Sequence, residues 1–325
     1  MTESDGAFVY GFLLDGSGGG RAIGPESVDE SVPADGLLWV HLDIYRPASR
    51  QWLADRKDVS EVVEHALLAD ETRPRTVPSD EGLLLVLRGV NMNPGANPDD
   101  MVAIRLWIEP NRIISSRRRK LLSIQDIRDA IVAGHGPRTA GEFVAMLVER
   151  LAERIGSVLD NIEDALEKAE LASAKADANA LRSQVGAFRR QTAAIRRYLA
   201  PQRDALDRLY RHPGPLFSSE EAEELREQAD RITRYLEDLD LLRERAIVLQ
   251  EELMNRIAQE QNSRVYLLSI VAAIFLPLSF VTGLLGMNVG GLPGTTYPLA
   301  FAVSLCLMAL LGIGLVVLFK WKRWL

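Results

Sequence analysis

The sequence predicts an α+β membrane protein: an N-terminal α/β domain, a long helical region, and two transmembrane helices at the C-terminal end. Three observations carry this. Short runs rich in Val, Leu and aromatics alternate with turn chemistry over residues 7–116. From Leu121 onward the pattern is helical almost without interruption. Two charge-free stretches, 265–285 and 298–319, then close the chain. The first of these, as a helix, is about 32 Å long, enough to cross a bilayer core. The expected divisions are a cytoplasmic α/β domain over 1–138, a cytoplasmic helical region with a stalk helix over 139–264, and a transmembrane hairpin over 265–325.

Taken in order, strands are expected at 7–14, 37–43, 83–90, 102–108 and 112–115, with a helix over 51–68. Gly16-Ser-Gly-Gly-Gly20 lacks the Gly-Lys-Ser/Thr ending of a phosphate loop and reads as a strand connection. Asn-Pro-Gly-Ala-Asn-Pro and Glu-Pro-Asn supply the later turns. His41 and His65 are too isolated for a metal site and are assigned structural roles.

Thr139-Ala-Gly-Glu142 has the form of a capping box opening a helix through about Leu171. Along it Asp160, Glu163, Asp164, Glu167 and Glu170 recur at three- and four-residue spacings. This acidic stripe is either a solvated face or a cation site, and the latter needs oxygen ligands from a second element. A second helix, 178–209, is rich in arginine and is a candidate partner for the acidic one. His212-Pro-Gly-Pro215 ends it, and Ser218 or Ser219 caps the next helix. There Leu225, Ala229, Ile232, Leu236 and Leu239 keep an apolar 3-4 spacing, resumed by Leu242, Ala246, Leu249 and Leu253. No proline or glycine intervenes before Pro277. One helix about 100 Å long is therefore expected, running from the cytoplasm through the membrane.

Arg256 and Arg264 precede the first span; Lys320, Lys322 and Arg323 follow the second; the loop between carries no charge. The positive-inside rule then predicts a multi-pass protein of the cytoplasmic (inner) membrane with both termini in the cytoplasm. The N-terminal residues predict no signal peptide. A hairpin of two helices cannot enclose a pore, so transport needs several copies around an axis. The first span offers a broad small or aliphatic face, Asn262, Val265, Ser269, Ala272, Leu276, Ser279 and Gly283. Such a face suits a pore lining or close packing between membrane helices.

The chain has 325 residues, 38 basic and 45 acidic, for a formal charge of −7. Only three basic residues and no acidic one follow Arg264, so residues 1–264 hold 35 against 45, or −10. An acidic body disfavours nucleic acid and suits cation collection or plain solubility. The single cysteine, Cys306, excludes an intramolecular disulfide and a Cys-x-x-Cys zinc site. No catalytic motif is present, so no enzyme is expected.

Gly286-Met287-Asn288, placed between two spans after a long charged helix, resembles the CorA-type metal-ion transporters. The continuation Val289-Gly290-Gly291-Leu292-Pro293-Gly294 is similar to the ZntB zinc-transporter branch. Glu71-Thr-Arg-Pro-Arg75, Leu87-Arg-Gly-Val-Asn91 and Met101-Val-Ala-Ile-Arg-Leu-Trp107 resemble the same branch. Magnesium channels of the family usually carry an acidic residue soon after Gly-Met-Asn, and none stands here. The resemblance implies a homopentameric funnel in membrane lipid, with a stalk helix becoming the pore helix. It further implies a selectivity filter of Gly286, Met287 and Asn288, with Asn288 touching the ion through its water. Asn288 by its position alone reads equally as a helix C-cap.

Between 265 and 319 there is no Asp, Glu, His, Lys or Arg. Zinc in protein sites favours sulfur, imidazole and carboxylate. The transported divalent cation, expected to be Zn²⁺, would therefore pass largely hydrated, and no tightly bound cofactor is expected. The rival readings are a non-transporting membrane-anchored ion sensor or scaffold, and a magnesium or cobalt channel.

Overall fold

The structure is a computed structural model that describes residues 6–28, 36–70, 72–287 and 298–322. The chain divides into two compact units, Met1–Glu251 and Glu252–Leu325.

The first unit is built on a seven-stranded sheet: β1 (Tyr10–Leu14), β2 (Gly20–Ala22), β3 (Leu37–Asp43), β4 (Arg75–Pro78), β5 (Leu83–Gly89), β6 (Val102–Glu109) and β7 (Arg112–Arg117). Its order is β2-β1-β3-β7-β6-β5-β4. Only β3 and β7 pair in parallel; the other neighbours are antiparallel. Two strands were not expected from the sequence. β2 is three residues of Gly-Arg-Ala, and β4 ends in Pro78 at a sheet edge, so neither carries the apolar alternation that marks a strand. The glycine-rich connection joins β1 to β2, as expected. Asp15 accepts from the Ser17 N–H at 2.8 Å and the Gly19 N–H at 3.1 Å, and Gly16 and Gly18 take positive φ, where a side chain would be strained.

Side chains alternate across the sheet, so each face has its own partner. Leu38, Val40 and Leu42 of β3, with Leu84, Trp107 and Ile114, form a core with Leu53 and with Val63 and Leu67. Those last residues belong to α1 (Pro47–Ala54) and α2 (Glu61–Leu68). One helix was expected over 51–68; the structure breaks it because Val59 turns into the core and Ser60 adopts an extended backbone before α2. On the opposite face Trp39 meets Phe143 edge-on at 5.0 Å. Phe143 opens α4 (Ala140–Ala172), which follows α3 (Leu122–Val132). α5 (Ala178–Arg211) lies beside α4 and reaches β4 and β5, where Thr76 donates to the Ala205 carbonyl at 2.7 Å.

The expected caps at Thr139 and at the Ser218-Ser219 pair are present, and Asp177 supplies a further one that was not expected. Thr139 accepts from the Glu142 N–H at 3.0 Å, and Asp177 accepts from Asn179 at 2.9 Å. Of the two serines before the long helix α6 (Ser219–Leu285), Ser218 is the cap: it accepts from the Glu221 N–H at 3.2 Å, and its own N–H donates to the Glu221 carboxylate. α6 runs unbroken through Pro277. Leu225, Ala229, Ile232, Leu236, Leu239, Leu242, Ala246, Leu249 and Leu253 are all buried, as their spacing requires. Gly156 of α4 admits the Tyr235 hydroxyl, which would stand 2.4 Å from a Cβ at that position.

The second unit holds the rest of α6 and α7 (Ala300–Trp321). Both helices are long and apolar enough to cross a membrane, and their apolar windows are not buried within the chain.

Candidate functional site

In the second unit α7 packs on one side of α6. The Cδ1 of Leu278 lies 3.8 Å from the place a Cβ on Gly312 would occupy. Beyond Arg264 the partly covered residues of α6 are Ile270, Ile274, Pro277, Leu278 and Val281; those of α7 include Ala300, Ser304, Met308, Leu311 and Leu315. At 3.6 residues per turn the covered set of α6 lies opposite Asn262, Val265, Ser269, Ala272, Leu276, Ser279 and Gly283. Every one of those seven is exposed in the single chain. The face singled out by its small and weakly polar residues is thus the face that α7 leaves open.

Two hydroxyls of this span bond to their own helix. Ser269 donates to the Val265 carbonyl and Thr282 to that of Ser279, both at 2.9 Å, so their oxygens keep only acceptor capacity. The Gly286 N–H donates to the Thr282 carbonyl at 2.9 Å, extending the helical bonding by one step, and Met287 is exposed. Asn288 lies outside the described residues, as do the loop residues through Tyr297.

In the first unit the acidic stripe resolves into two kinds of residue. Asp160, Asp164 and Glu167 are exposed. Glu163 and Glu170 are paired with Arg245 of α6, at 3.2 and 2.8 Å. The arginines of α5 were candidate partners for the acidic helix; two of them reach α6 instead. Arg189 donates to Gln250 at 2.6 Å and Arg196 to Asp240 at 2.7 Å. Both outer helices place their charges at the margins of α6, whose apolar stripe they cover. Among the described residues no group of three or more His, Cys, Asp or Glu is arranged to hold a metal ion.

Two cavities of opposite sign were not legible in the sequence. One, of about 1000 Å³, lies at the N-terminal ends of α4 and α6 and is lined by Glu142, Glu149, Glu220, Glu221, Glu224 and Glu227, with Arg138. Burial, then the Glu220, Glu142, Glu149 and Glu221 carboxylates, hold Glu224 above the ordinary carboxylate range. The helix dipoles favour negative charge at these ends. The other, of about 650 Å³, is lined by Arg73, Arg88, Arg105, Arg118, Arg119 and Arg197, with Asp70 and Asp100. Its sequence signal was Arg105, an arginine set between Ile104 and Leu106 in a run otherwise apolar. His41 is structural, as expected: it is buried, its Nδ1 lies 2.8 Å from the Ser115 hydroxyl, and burial holds it well below the usual imidazole range.

Residues 34–323 match the family model described as CorA-like Mg²⁺ transporter protein. The chain is 42% identical to the divalent cation transporter CmaX of Pseudomonas aeruginosa, over 98% of this chain and 96% of that one. It is 34% identical to the zinc transport protein ZntB of Yersinia enterocolitica, over 98% and 96%. A solved structure of full-length CmaX superposes with a TM-score of 0.83 at 40% identity, covering 98% of each chain. An N-terminal α/β region, a long helix and two apolar C-terminal helices, in this order and with this sequence likeness, place the chain: it belongs to the CorA-like Mg²⁺ transporter protein family.

Proposed function

We propose that this chain carries divalent cations across the cytoplasmic membrane, zinc ahead of magnesium, along the axis of a homo-oligomer. Its family consists of ion transporters, so it is not an enzyme. The observation that carries the pore assignment is the open face of α6, from Asn262 to Gly283, opposite the side that α7 covers. A single hairpin cannot surround an ion, so these faces converge only when copies stand around a common axis. The family resemblance supports a pentamer, and the positive-inside rule supports both termini on the cytoplasmic side.

The chemistry of the lining sets the mode of passage. Residues 265–319 offer carbonyl, hydroxyl and amide oxygens but no carboxylate or imidazole. These repay little of a divalent ion's hydration, so the ion crosses with most of its water. Asn288, three residues beyond the end of α6, is the residue that meets this shell at the mouth. Its amide offers both a donor and an acceptor to bound water. The preference for zinc is supported by the likeness to ZntB and by the absence of a carboxylate from the loop 289–297.

Flux of labelled zinc and magnesium into proteoliposomes under matched gradients tests the reading. Zinc flux that changes in rate or preference in Asn288→Ala and Asn288→Asp, with the oligomer intact, is the expected result. Magnesium flux without zinc flux would overturn the ion assignment. An assembled protein that passes neither would be a sensor or scaffold.

A further inference from the structure

The floor of the arginine-lined cavity is a buried guanidinium whose anionic neighbour, Asp70, is shared with Arg118. Arg105 lies in the middle of β6, paired across the sheet with Val86 and Ser116, and is fully buried. Its Nη2 donates to the carbonyl of Ala69 at 2.5 Å, but its Nε and Nη1 have no partner among the described residues. Burial, then the neighbouring Arg88 and Arg118, push its pKa down to about 10, so it stays cationic at neutral pH. Thr72, also buried, lines the same cavity, and its hydroxyl has no partner among the described residues. A buried guanidinium with two idle donors is costly unless something anionic meets it.

The walls add to the demand. Arg88 donates through Nε and Nη2 to the Thr72 carbonyl and through Nη1 to that of Met101, and its guanidinium lies 3.9 Å from the centre of the Tyr198 ring. Arg197 lies over the same ring at 5.5 Å. The two carboxylates are already engaged: Asp100 accepts from Arg119 at 3.0 Å, and Asp70 lies 3.7 Å from Arg118. The Thr72–Arg73, Arg88 and Met101–Arg105 lining residues come from three separate stretches, gathered by the β5–β6 hairpin and the turn after α2.

We propose that this cavity binds a small phosphorylated anion of the di- or triphosphate class, with Arg105 and Thr72 as the floor and Arg88, Arg118 and Arg197 as the walls. Planar guanidinium forks match phosphate oxygens in pairs, and several converging forks suit several phosphoryl groups. The volume far exceeds one monatomic ion, while the depth of Arg105 excludes a macromolecular surface. The occupied site would tie the end of α2, β6 and α5 together, so binding should raise the stability of the first unit.

The test uses the full-length chain in detergent with EDTA present, titrated with pyrophosphate, ATP, orthophosphate and chloride at matched ionic strength. Thermal unfolding and calorimetric titration are the readouts. Pyrophosphate or ATP should raise the midpoint saturably where chloride does not. Arg105→Met should weaken that binding at least about tenfold, and Arg197→Gln, at an exposed position, about threefold. No response beyond the chloride control, or an equal response in Arg105→Met, overturns the proposal. Orthophosphate binding as tightly as pyrophosphate overturns the di- or triphosphate class. Should Arg105→Met fail to fold, unchanged affinity in both Arg197→Gln and Arg118→Gln overturns it instead.

Discussion

The two halves of α6 are one helix in two solvents. From Leu225 to Leu253 one stripe of apolar residues recurs every three or four positions and is buried, while most of the residues between them are charged or polar, and Leu241 and Val248 stand exposed. Beyond Arg264 the apolar residues go all the way round, and Leu267, Phe275 and Leu276 stand more than 60% exposed in the single chain. In the first half, water drives a narrow stripe against protein. In the second half the surroundings must be as apolar as the side chains, because so large an apolar surface is not sustained in water. The difference separates what holds each half: burial against α4 and α5 in one and, on the proposed function, lipid and neighbouring copies in the other.

Truncation should separate the halves most sharply. Leu239→Ala removes a side chain that is 1% exposed and should cost about 2–5 kcal/mol of unfolding free energy. Leu267→Ala, at a position 62% exposed, should cost under about 1 kcal/mol. Denaturant unfolding of the detergent-solubilised protein, followed by circular dichroism, compares them; equal costs would break the contrast.

Within the second half, the open face and the lipid-facing sides should differ in access to water. On a Cys306→Ala background, Ala272→Cys and Ser279→Cys should react with a water-soluble thiol reagent and lose flux about tenfold or more. Leu267→Cys and Val271→Cys should stay unlabelled and keep their flux. The reverse pattern would move the pore to another side of α6.

The smallest effect belongs to the charged half. The pKa of Glu224 is raised in the folded chain, so folding takes up protons at this group and acidification through the carboxylate range relieves the repulsion. Glu224→Gln should therefore be more stable than wild type at neutral pH, by no more than about 0.5 kcal/mol once solvent screening is allowed for. That advantage should vanish as the pH falls through the carboxylate range. Melting curves at neutral and acid pH test the sign; an advantage that grows on acidification would remove the acidic cavity as its cause.

What the sequence determined by itself was local. The spans follow from runs of uncharged residues, the stalk from its 3-4 spacing, and the starts of α4 and α6 from Thr139 and from the Ser218-Ser219 pair, because consecutive residues carry these signals. The small-residue face of the first span was also legible, since a helix turns by a fixed angle per residue. The family followed from Gly286-Met287-Asn288 in that setting. Tertiary structure alone decided the rest. The break between α1 and α2 depends on a core that receives Val59. The partners of Glu163, Glu170, Arg189 and Arg196 all lie on α6, because α4 and α5 both flank that helix and only packing assigns their neighbours. The arginine cavity joins positions 72, 88, 105, 118 and 197, which no window of sequence contains. Its charge becomes visible only when the strand order and the end of α2 bring those side chains around one volume and leave the Nε and Nη1 of Arg105 without a partner among the described residues.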